Sequence, residues 1–468
     1  MQNLSGWNIK IFRVKFYKSI GLNLTNLSGW NILYRKRSLV MLDFNPEKYL
    51  PRLIDKKIAL YLDVFGAICI EGPKWCGKTM TSLHHANSVF YLSNTAEHAH
   101  TTELVRIEPS LALAGDAPHL IDEWQVVPEL WDIVRSEVDR RKRKGQFILT
   151  GSSTPNRTGI LHSGAGRFAK LRMRTMSLYE SRDSSGVVSL KHLFEGDFKA
   201  QLTGEVHLQQ LIHFIVRGGW PENLEFTDNR AALIPKEYIR LVISDDIRRV
   251  DEKRRDLKKI ELLLQSLARN ESTTCSMSTL RNDIIANGGK IDLETIPEYL
   301  NILEDLYLLD NQQPFAINFR SGLRLKQNEK RHFADPSLAV ALLGASGQML
   351  LNDLQTLGFL FESLCERDLR IYAEVNDGEL FHYQDYDNDE IDAVVRLEDG
   401  RWGAFEIKLG AHQIDEAAKS LLKIGNKIEA SSSTGKGPCF LCVLCGCVNA
   451  AYRREDGVYV VPITALRD

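Results

Sequence analysis

The chain has 468 residues and a net charge of −2, with 44% hydrophobic and 26% charged residues. This is the composition of an ordinary globular protein too long for one hydrophobic core, so roughly two to four domains are expected. It excludes a collagen-like or disordered chain, and no apolar run approaches the ~18 residues a membrane span needs.

Residues 1–42 hold seven Lys or Arg and no acid, which leaves the remainder distinctly acidic. "NLSGWNI" stands at 3–9 and again at 26–32. Neither a helical nor a strand period gives this segment a packing face. We read 1–42 as a basic extension without ordered structure, upstream of a start at Met41. A transit peptide or a nucleic-acid arm has the same composition.

The apolar run "FGAICI" (65–70) reads as a short buried strand, and Gly72, Pro73, Lys74, Trp75, Cys76, Gly77, Lys78 and Thr79 follow it. They fit G-x-x-x-x-G-K-[ST], with a helix-compatible stretch behind them. Glycines let the backbone curl so that its N–H groups face a phosphate, and the helix N-terminus adds positive potential. Lys78 is placed to reach the β- and γ-phosphates of ATP, and the Thr79 hydroxyl to ligate Mg²⁺.

"PHLIDEWQ" ends a second apolar strand in acid. Asp122 is the candidate Mg²⁺ ligand and Glu123 the candidate general base. An acidic pair alone is common surface decoration; the apolar strand before it gives this one its meaning. The next strand, "GQFILTGSS" (145–153), ends in Thr150 and Ser152, where a γ-phosphate sensor belongs. Arg167 follows a Gly-Ala-Gly turn and is a candidate to stabilise transition-state charge on a neighbouring subunit's ATP. A merely solvated loop arginine is the alternative. The basic run "DRRKRKG" (139–145) reads as a solvated helix end, with nucleic-acid contact as the other option.

This order of elements predicts an α/β nucleotide-binding core over 43–195, a parallel sheet with helices on both faces. "GPKWCGKT", "LIDEWQVVPELWDIVRSEVD", "FILTGSST" and "SGAGRFAKLRMRTMSLYES" resemble the prokaryotic AAA-type ATPases whose C-terminal region is known only as a domain of unknown function. The likeness continues through "RGGWPE", "YIRLVISDDI", "FADPSLAVALLG" and "FEIKLG", covering about residues 43–468. It implies ATP and Mg²⁺ as cofactors and raises Arg167 as a finger acting within a homo-oligomer. The molecular role of that family is itself poorly defined.

Residues 196–255 read as a helical lid or linker broken at "RGGWPE" (217–222), since Pro221 stops a helix and the glycines permit unusual dihedrals. Residues 256–335 carry three helical patterns and then an extended stretch, the outline of a winged helix-turn-helix. Asp292 is the expected N-cap of the third helix. Asp292, Glu294, Glu298, Glu304 and Asp305 make that helix acidic, so docking a partner protein is as good a use as reading DNA.

Residues 336–468 read as an α/β tail resembling the restriction-endonuclease core. "GFLFESLCERDLRIYAE" (358–374) is an amphipathic helix bearing Glu362 and Glu366. Asp392 in "DEIDAVVRLEDG" and Glu406 in "WGAFEIKLG" should face one metal from adjacent strands, with Lys408 on Glu406's face. Asp385, Asp387, Asp389 and Glu390 crowd the approach and should repel a phosphate backbone, so weak or no cleavage is expected.

"CFLCVLCGC" brings Cys439, Cys442, Cys445 and Cys447 together. On a strand Cys442 would face away from the other three, so the strand alone cannot offer four ligands. We read it as a buried core strand with reduced thiols, in a cytoplasmic protein. The chain as a whole reads as an ATP-binding protein, an Mg²⁺-dependent hydrolase acting as switch or motor. A nucleotide-gated DNA- or protein-binding module and an ATP-regulated nuclease are the alternatives.

Overall fold

The computed structural model describes residues 48–92, 98–153, 162–247, 255–316, 328–431 and 437–468. The basic extension 1–42 lies outside them. Strands β1 (Ala67–Glu71), β2 (Ser88–Tyr91), β3 (His119–Asp122), β4 (Phe147–Gly151) and β5 (Phe168–Arg172) form a sheet in the order β2-β3-β4-β1-β5. Every pairing in it is parallel.

The strand sequences explain this arrangement. AICIE and FILTG are apolar almost throughout and buried at every position, as strands covered on both faces must be. Ile68 and Ile70 pack with Ile58, Leu62 and Leu83 on one face. Ala67 and Cys69 pack with Trp131, Val134 and Val138 on the other. Helices therefore cover both faces, as expected from the sequence. Because all the strands are parallel, the C-terminal ends of β1, β3 and β4 open on one edge, where parallel sheets bind ligands.

Helix Leu208–Arg217 stops at Gly218, whose φ of 68° is left-handed, and Pro221 opens a short 3₁₀ turn. Helix Leu233–Leu241 then runs into a π-helical turn, Val242–Asp246. Helices Leu257–Arg269 and Met277–Ala286 are capped by the Asp256 and Ser276 side chains. Helix Thr295–Asp305 differs from expectation: its N-cap position is Glu294, with no side-chain cap. Asp292 contributes only its carbonyl oxygen, accepting from the Thr295 N–H, because the chain turns once more before the helix begins. Two extended stretches follow, linked antiparallel at Leu309–Phe333 and Gln312–Lys330.

The remaining strands are β6 (Val188–Ser189), β7 (Gln201–Leu202), β8 (Gln313–Pro314), β9 (Gly378–Gln384), β10 (Glu390–Leu397), β11 (Trp402–Gly410), β12 (Leu441–Cys447), β13 (Ala450–Arg453), β14 (Tyr459–Pro462) and β15 (Leu466–Arg467). Eight of them form a mixed sheet, β7-β13-β14-β12-β11-β10-β9-β8, while β6 pairs with β15. Strands β9, β10 and β11 are antiparallel, and β11, β12 and β14 parallel. Helix Leu354–Val375 covers one face, packing Phe361 and Leu364 with Phe405 and Cys442. Helix Ile414–Ser431 covers the other, packing Leu421 and Ile424 with Val394 and Val443. Strand β7 thus joins the edge of the tail sheet through β13, and β6 pairs with the tail's last strand, although sequence patterning placed residues 188–195 in the nucleotide core and 196–202 in the lid.

The cysteine run is a core strand. Cys442 and Cys445 are buried on opposite faces of β12, and Cys439, just before it, is exposed. Cys447 departs from strict alternation by packing against the same core as Cys442.

A buried polar junction holds these parts together. The carboxylate of Asp335, with no solvent exposure, accepts from Thr175 Oγ1 at 2.8 Å, Gly219 N at 2.9 Å, Ser337 Oγ at 2.6 Å and Arg367 Nη1 at 3.1 Å. Asp368, next to Arg367, accepts from the Leu178 N–H at 2.9 Å. Gly219 is needed because a Cβ there would stand 2.1 Å from the Met176 carbonyl oxygen. Gly219→Ala should therefore cost about 1–3 kcal/mol, read as a lower urea midpoint. An unchanged midpoint would show that the turn relaxes freely.

Candidate functional site

The P-loop takes its shape from two backbone facts. Gly77 sits at φ 103° and starts helix Lys78–His85 as its N-cap residue, a conformation that favours glycine. Lys78 folds back so that its Nζ donates to the carbonyl oxygens of Gly72 at 2.9 Å and Pro73 at 2.7 Å. Cys76 is buried and Trp75 is 56% exposed at the loop surface. Lys74 reaches out to the helical segment, pairing with Asp246 Oδ1 at 2.5 Å.

The acids of "IDEW" lie beside this loop. Asp122 Oδ1 accepts from Thr79 Oγ1 at 2.9 Å and from Thr150 Oγ1 at 2.7 Å. Burial raises the Asp122 carboxyl above its ordinary range, against the bonds from Thr150 and Thr79. Its neighbour Glu123 sits at φ 58°, which turns its side chain out of the strand. The Glu123 N–H donates to Thr150 Oγ1 at 3.0 Å, and Ser152 Oγ donates to Glu123 Oε2 at 2.9 Å. Gln125 Nε2 donates to the same carboxylate oxygen and to Ser152 Oγ. Thr150 and Ser152 thus each brace one acid of the pair. A hydroxyl and a carboxylate oxygen this close suit a hard cation that completes its shell with phosphate oxygens and water. Thr79 and Asp122 therefore fit Mg²⁺.

Two residues of this site had no sequence motif. Gln125 was legible only as a polar neighbour of Glu123. Arg52 precedes the first described helix and is buried. It donates from Nη1 to the Cys76 carbonyl oxygen at 2.8 Å and from Nη2 to the Arg174 carbonyl oxygen at 2.9 Å, and its Nε pairs with Glu180 at 3.0 Å. It ties the P-loop to the chain leaving β5.

Arg167 lies elsewhere. It precedes β5, and its carbonyl oxygen accepts from the N–H of Ala67 at the start of β1. This is the sheet end opposite the P-loop, and the side chain pairs with Asp139 at 3.0 Å, half exposed. In its own chain Arg167 is remote from the nucleotide site.

In the tail, Lys408 Nζ stands 2.8 Å from Glu406 Oε1 and 3.5 Å from Asp392 Oδ2. Asp392 Oδ2 also accepts from the Ile407 N–H at 2.7 Å. The three residues therefore meet at adjoining strands. Burial pushes the Glu406 carboxyl up to about 8, with the Asp392 charge adding and Lys408 opposing. The acids flanking β10 differ from expectation. Lys427 Nζ pairs with Asp385 and Asp387 at 2.6 Å and with Asp389 at 3.1 Å, and Lys423 pairs with Asp389 at 2.6 Å. Their charge is offset by lysines from helix Ile414–Ser431, a pairing between distant segments that no local pattern marks.

Residues 65–181 match the model of an AAA domain. This part of the chain, which carries the P-loop and both acids, is similar to AAA-type domains. Residues 208–349 and 357–466 match two families described only as domains of unknown function. Uncharacterized proteins of Mycobacterium bovis and Mycobacterium tuberculosis are each 25% identical over 345 residues, 73% of this chain and 70% of theirs. An uncharacterized protein of Haemophilus influenzae is 24% identical over 68% of this chain and 72% of its own. Among solved structures, the Walker-type ATPase PABY2304 of Pyrococcus abyssi aligns at a TM-score of 0.42 and 14% identity, over 64% of this chain and 99% of that one.

The raised Glu406 carboxyl gives a signed pH dependence. The folded state holds a proton there that an unfolded glutamate releases near pH 4–5, so this group's stabilisation falls as pH rises from ~4.5 to about 8. Glu406→Gln should flatten that part of the stability–pH curve. An identical slope in the variant would assign the titration to another group.

Proposed function

We propose that this protein is an Mg²⁺-dependent ATP hydrolase that works as a nucleotide-driven switch. One observation carries the reading: two adjacent acids at the mouth of a P-loop, Asp122 held by the Thr79 and Thr150 hydroxyls and Glu123 by that of Ser152. Backbone N–H groups of Lys74–Gly77 and the following helix start cradle the phosphates. Lys78 exchanges two loop carbonyls for the β- and γ-phosphate oxygens, a stronger charge-assisted partner. Thr79 and Asp122 hold Mg²⁺, which when bound supplies charge neutralisation to the phosphates. Glu123, aimed by Ser152 and Gln125, accepts the proton of the attacking water.

Switching is supported by the Lys74–Asp246 pair, which joins the phosphate loop to a π-helical turn of the helical segment. π-Turns often mark functional sites. Arg167 then serves a neighbouring subunit's nucleotide, which makes the active form a homo-oligomer. The acidic helix Thr295–Asp305 favours a partner protein over DNA as what the switch engages: Glu298 pairs with Arg255, and no excess of basic residues stands on that helix. No helix among the described residues is long and apolar enough to cross a membrane.

Lys78→Ala should weaken ATP binding roughly 10- to 100-fold with the fold intact, measured by direct nucleotide titration. Undiminished affinity would sink the site. Glu123→Gln should retain ATP and lose turnover by about 10²–10⁴-fold; normal turnover would make Glu123 a bystander.

A separate prediction concerns assembly. Mixed Arg167→Ala and Glu123→Gln proteins should partly recover hydrolysis, since some interfaces then pair an intact Arg167 with an intact Glu123. No recovery in a preparation shown to exchange subunits would remove the finger.

A further inference from the structure

Five carboxylates converge in the tail: Glu362 and Glu366 from helix Leu354–Val375, Glu390 and Asp392 from β10, and Glu406 from β11. In the restriction-endonuclease-like reading, a divalent cation would neutralise such a group. Here the chain supplies its own cations. Lys330 is 1% exposed. Its Nζ pairs with Glu362 Oε1, stands 3.1 Å from Glu366 Oε1 and lies 3.4 Å from the Asp392 carbonyl oxygen. His332 lies 2.8 Å from Glu366 Oε2 and 3.3 Å from Glu271 Oε1. Lys408 covers Glu406 and Asp392.

The fit to a metal is correspondingly poor. Among the described residues, the His, Cys, Asp and Glu groups spaced to share an ion are Asp55–His84–His85 and Asp385–Asp387–Asp389; neither is in this pocket. Yet the pocket is not saturated, because Glu406 Oε2 is buried with no hydrogen-bond partner. A carboxylate oxygen so placed is what a cation would take up once room appeared.

We infer that Lys330 is the resident cation of this pocket and stands in for a divalent metal, so that metal binds there only when Lys330 is withdrawn. Lys330 comes from the extended stretch bridged to Gln312, and Gln312 Nε2 itself donates to the Asp392 carbonyl oxygen at 3.3 Å. The stretch following the three middle helices is thus plugged into the tail through one ammonium group and one amide. Burial opposes the Lys330 charge, but Glu362, Glu366 and Asp392 outweigh it and keep the ammonium protonated. Ammonium and metal compete for the same carboxylates, so whatever displaces one raises the affinity for the other. The tail is closed to metal-dependent chemistry while Lys330 is docked. This inference does not rest on the proposed nucleotide function, and its test uses no nucleotide.

The test is Mn²⁺ titration of the full chain without nucleotide, followed by calorimetry and by the thermal midpoint. The wild type should show no Mn²⁺ site that depends on Glu406 or Asp392. Lys330→Ala should bind Mn²⁺ at least ~10-fold more tightly and gain a metal-dependent rise in midpoint. Both effects should vanish when Glu406→Gln is added.

Removing Lys330 leaves buried carboxylates without their partner, so the folding of Lys330→Ala is compared with and without Mn²⁺. Folding restored by Mn²⁺ and lost again with EDTA supports the inference. A variant that stays unfolded with Mn²⁺ counts against it, since vacated carboxylates should recruit the ion. Two further results overturn it: wild-type Mn²⁺ binding that Glu406→Gln abolishes, or a folded Lys330→Ala protein that ignores Mn²⁺.

Discussion

The fold depends on one buried carboxylate. Asp335 receives donors from the chain leaving β5, from the Gly-Gly-Trp turn, from its own helix start and from Arg367 on the long tail helix. A carboxylate without solvent must have its lone pairs filled by protein. Four segments far apart in sequence therefore have to meet at one point. The surrounding apolar core repeats the result, since a single cluster runs from Leu178 through Trp220 and Leu338 to Leu466.

Ion pairs then connect the phosphate loop to the tail. Arg52 holds the Cys76 and Arg174 carbonyl oxygens, and Arg174 pairs with Asp310 at 2.5 Å and with Glu374 at 2.5 Å. Asp310 also receives Arg172 and Arg370. Burial alone would raise its carboxyl, but the three guanidinium groups hold it well below the carboxylate range. Buried pairs of this kind add little net stability, yet losing one partner is costly. Their role here is to fix which segments touch.

The two acidic centres differ in what faces the acids. Hydroxyls face Asp122 and Glu123, and a hydroxyl-bound carboxylate keeps its remaining lone pairs for a metal or a water proton. Ammonium groups face Glu362, Glu366 and Asp392, and these acids have already spent their charge. Similar residue types thus meet neutral donors in one centre and ammonium groups in the other.

Local order carried the nucleotide site. The placement of the P-loop and of Asp122 and Glu123 was legible because each directly follows an apolar strand, and a parallel sheet opens all its strand ends on one edge. Asp392, Glu406 and Lys408 were legible because β10 and β11 are joined by a short turn, so strand alternation alone brings them together. Arg52, Lys330, Lys427 and Asp335 belong to no local pattern. Their partners lie tens to hundreds of residues away, and the period of a strand or helix says nothing about which distant charge will be buried against it. The sequence by itself determined the elements and the residue types at the phosphate loop; only tertiary structure decided which buried charges meet, because desolvation makes a charge choose its partner after the chain has closed around it.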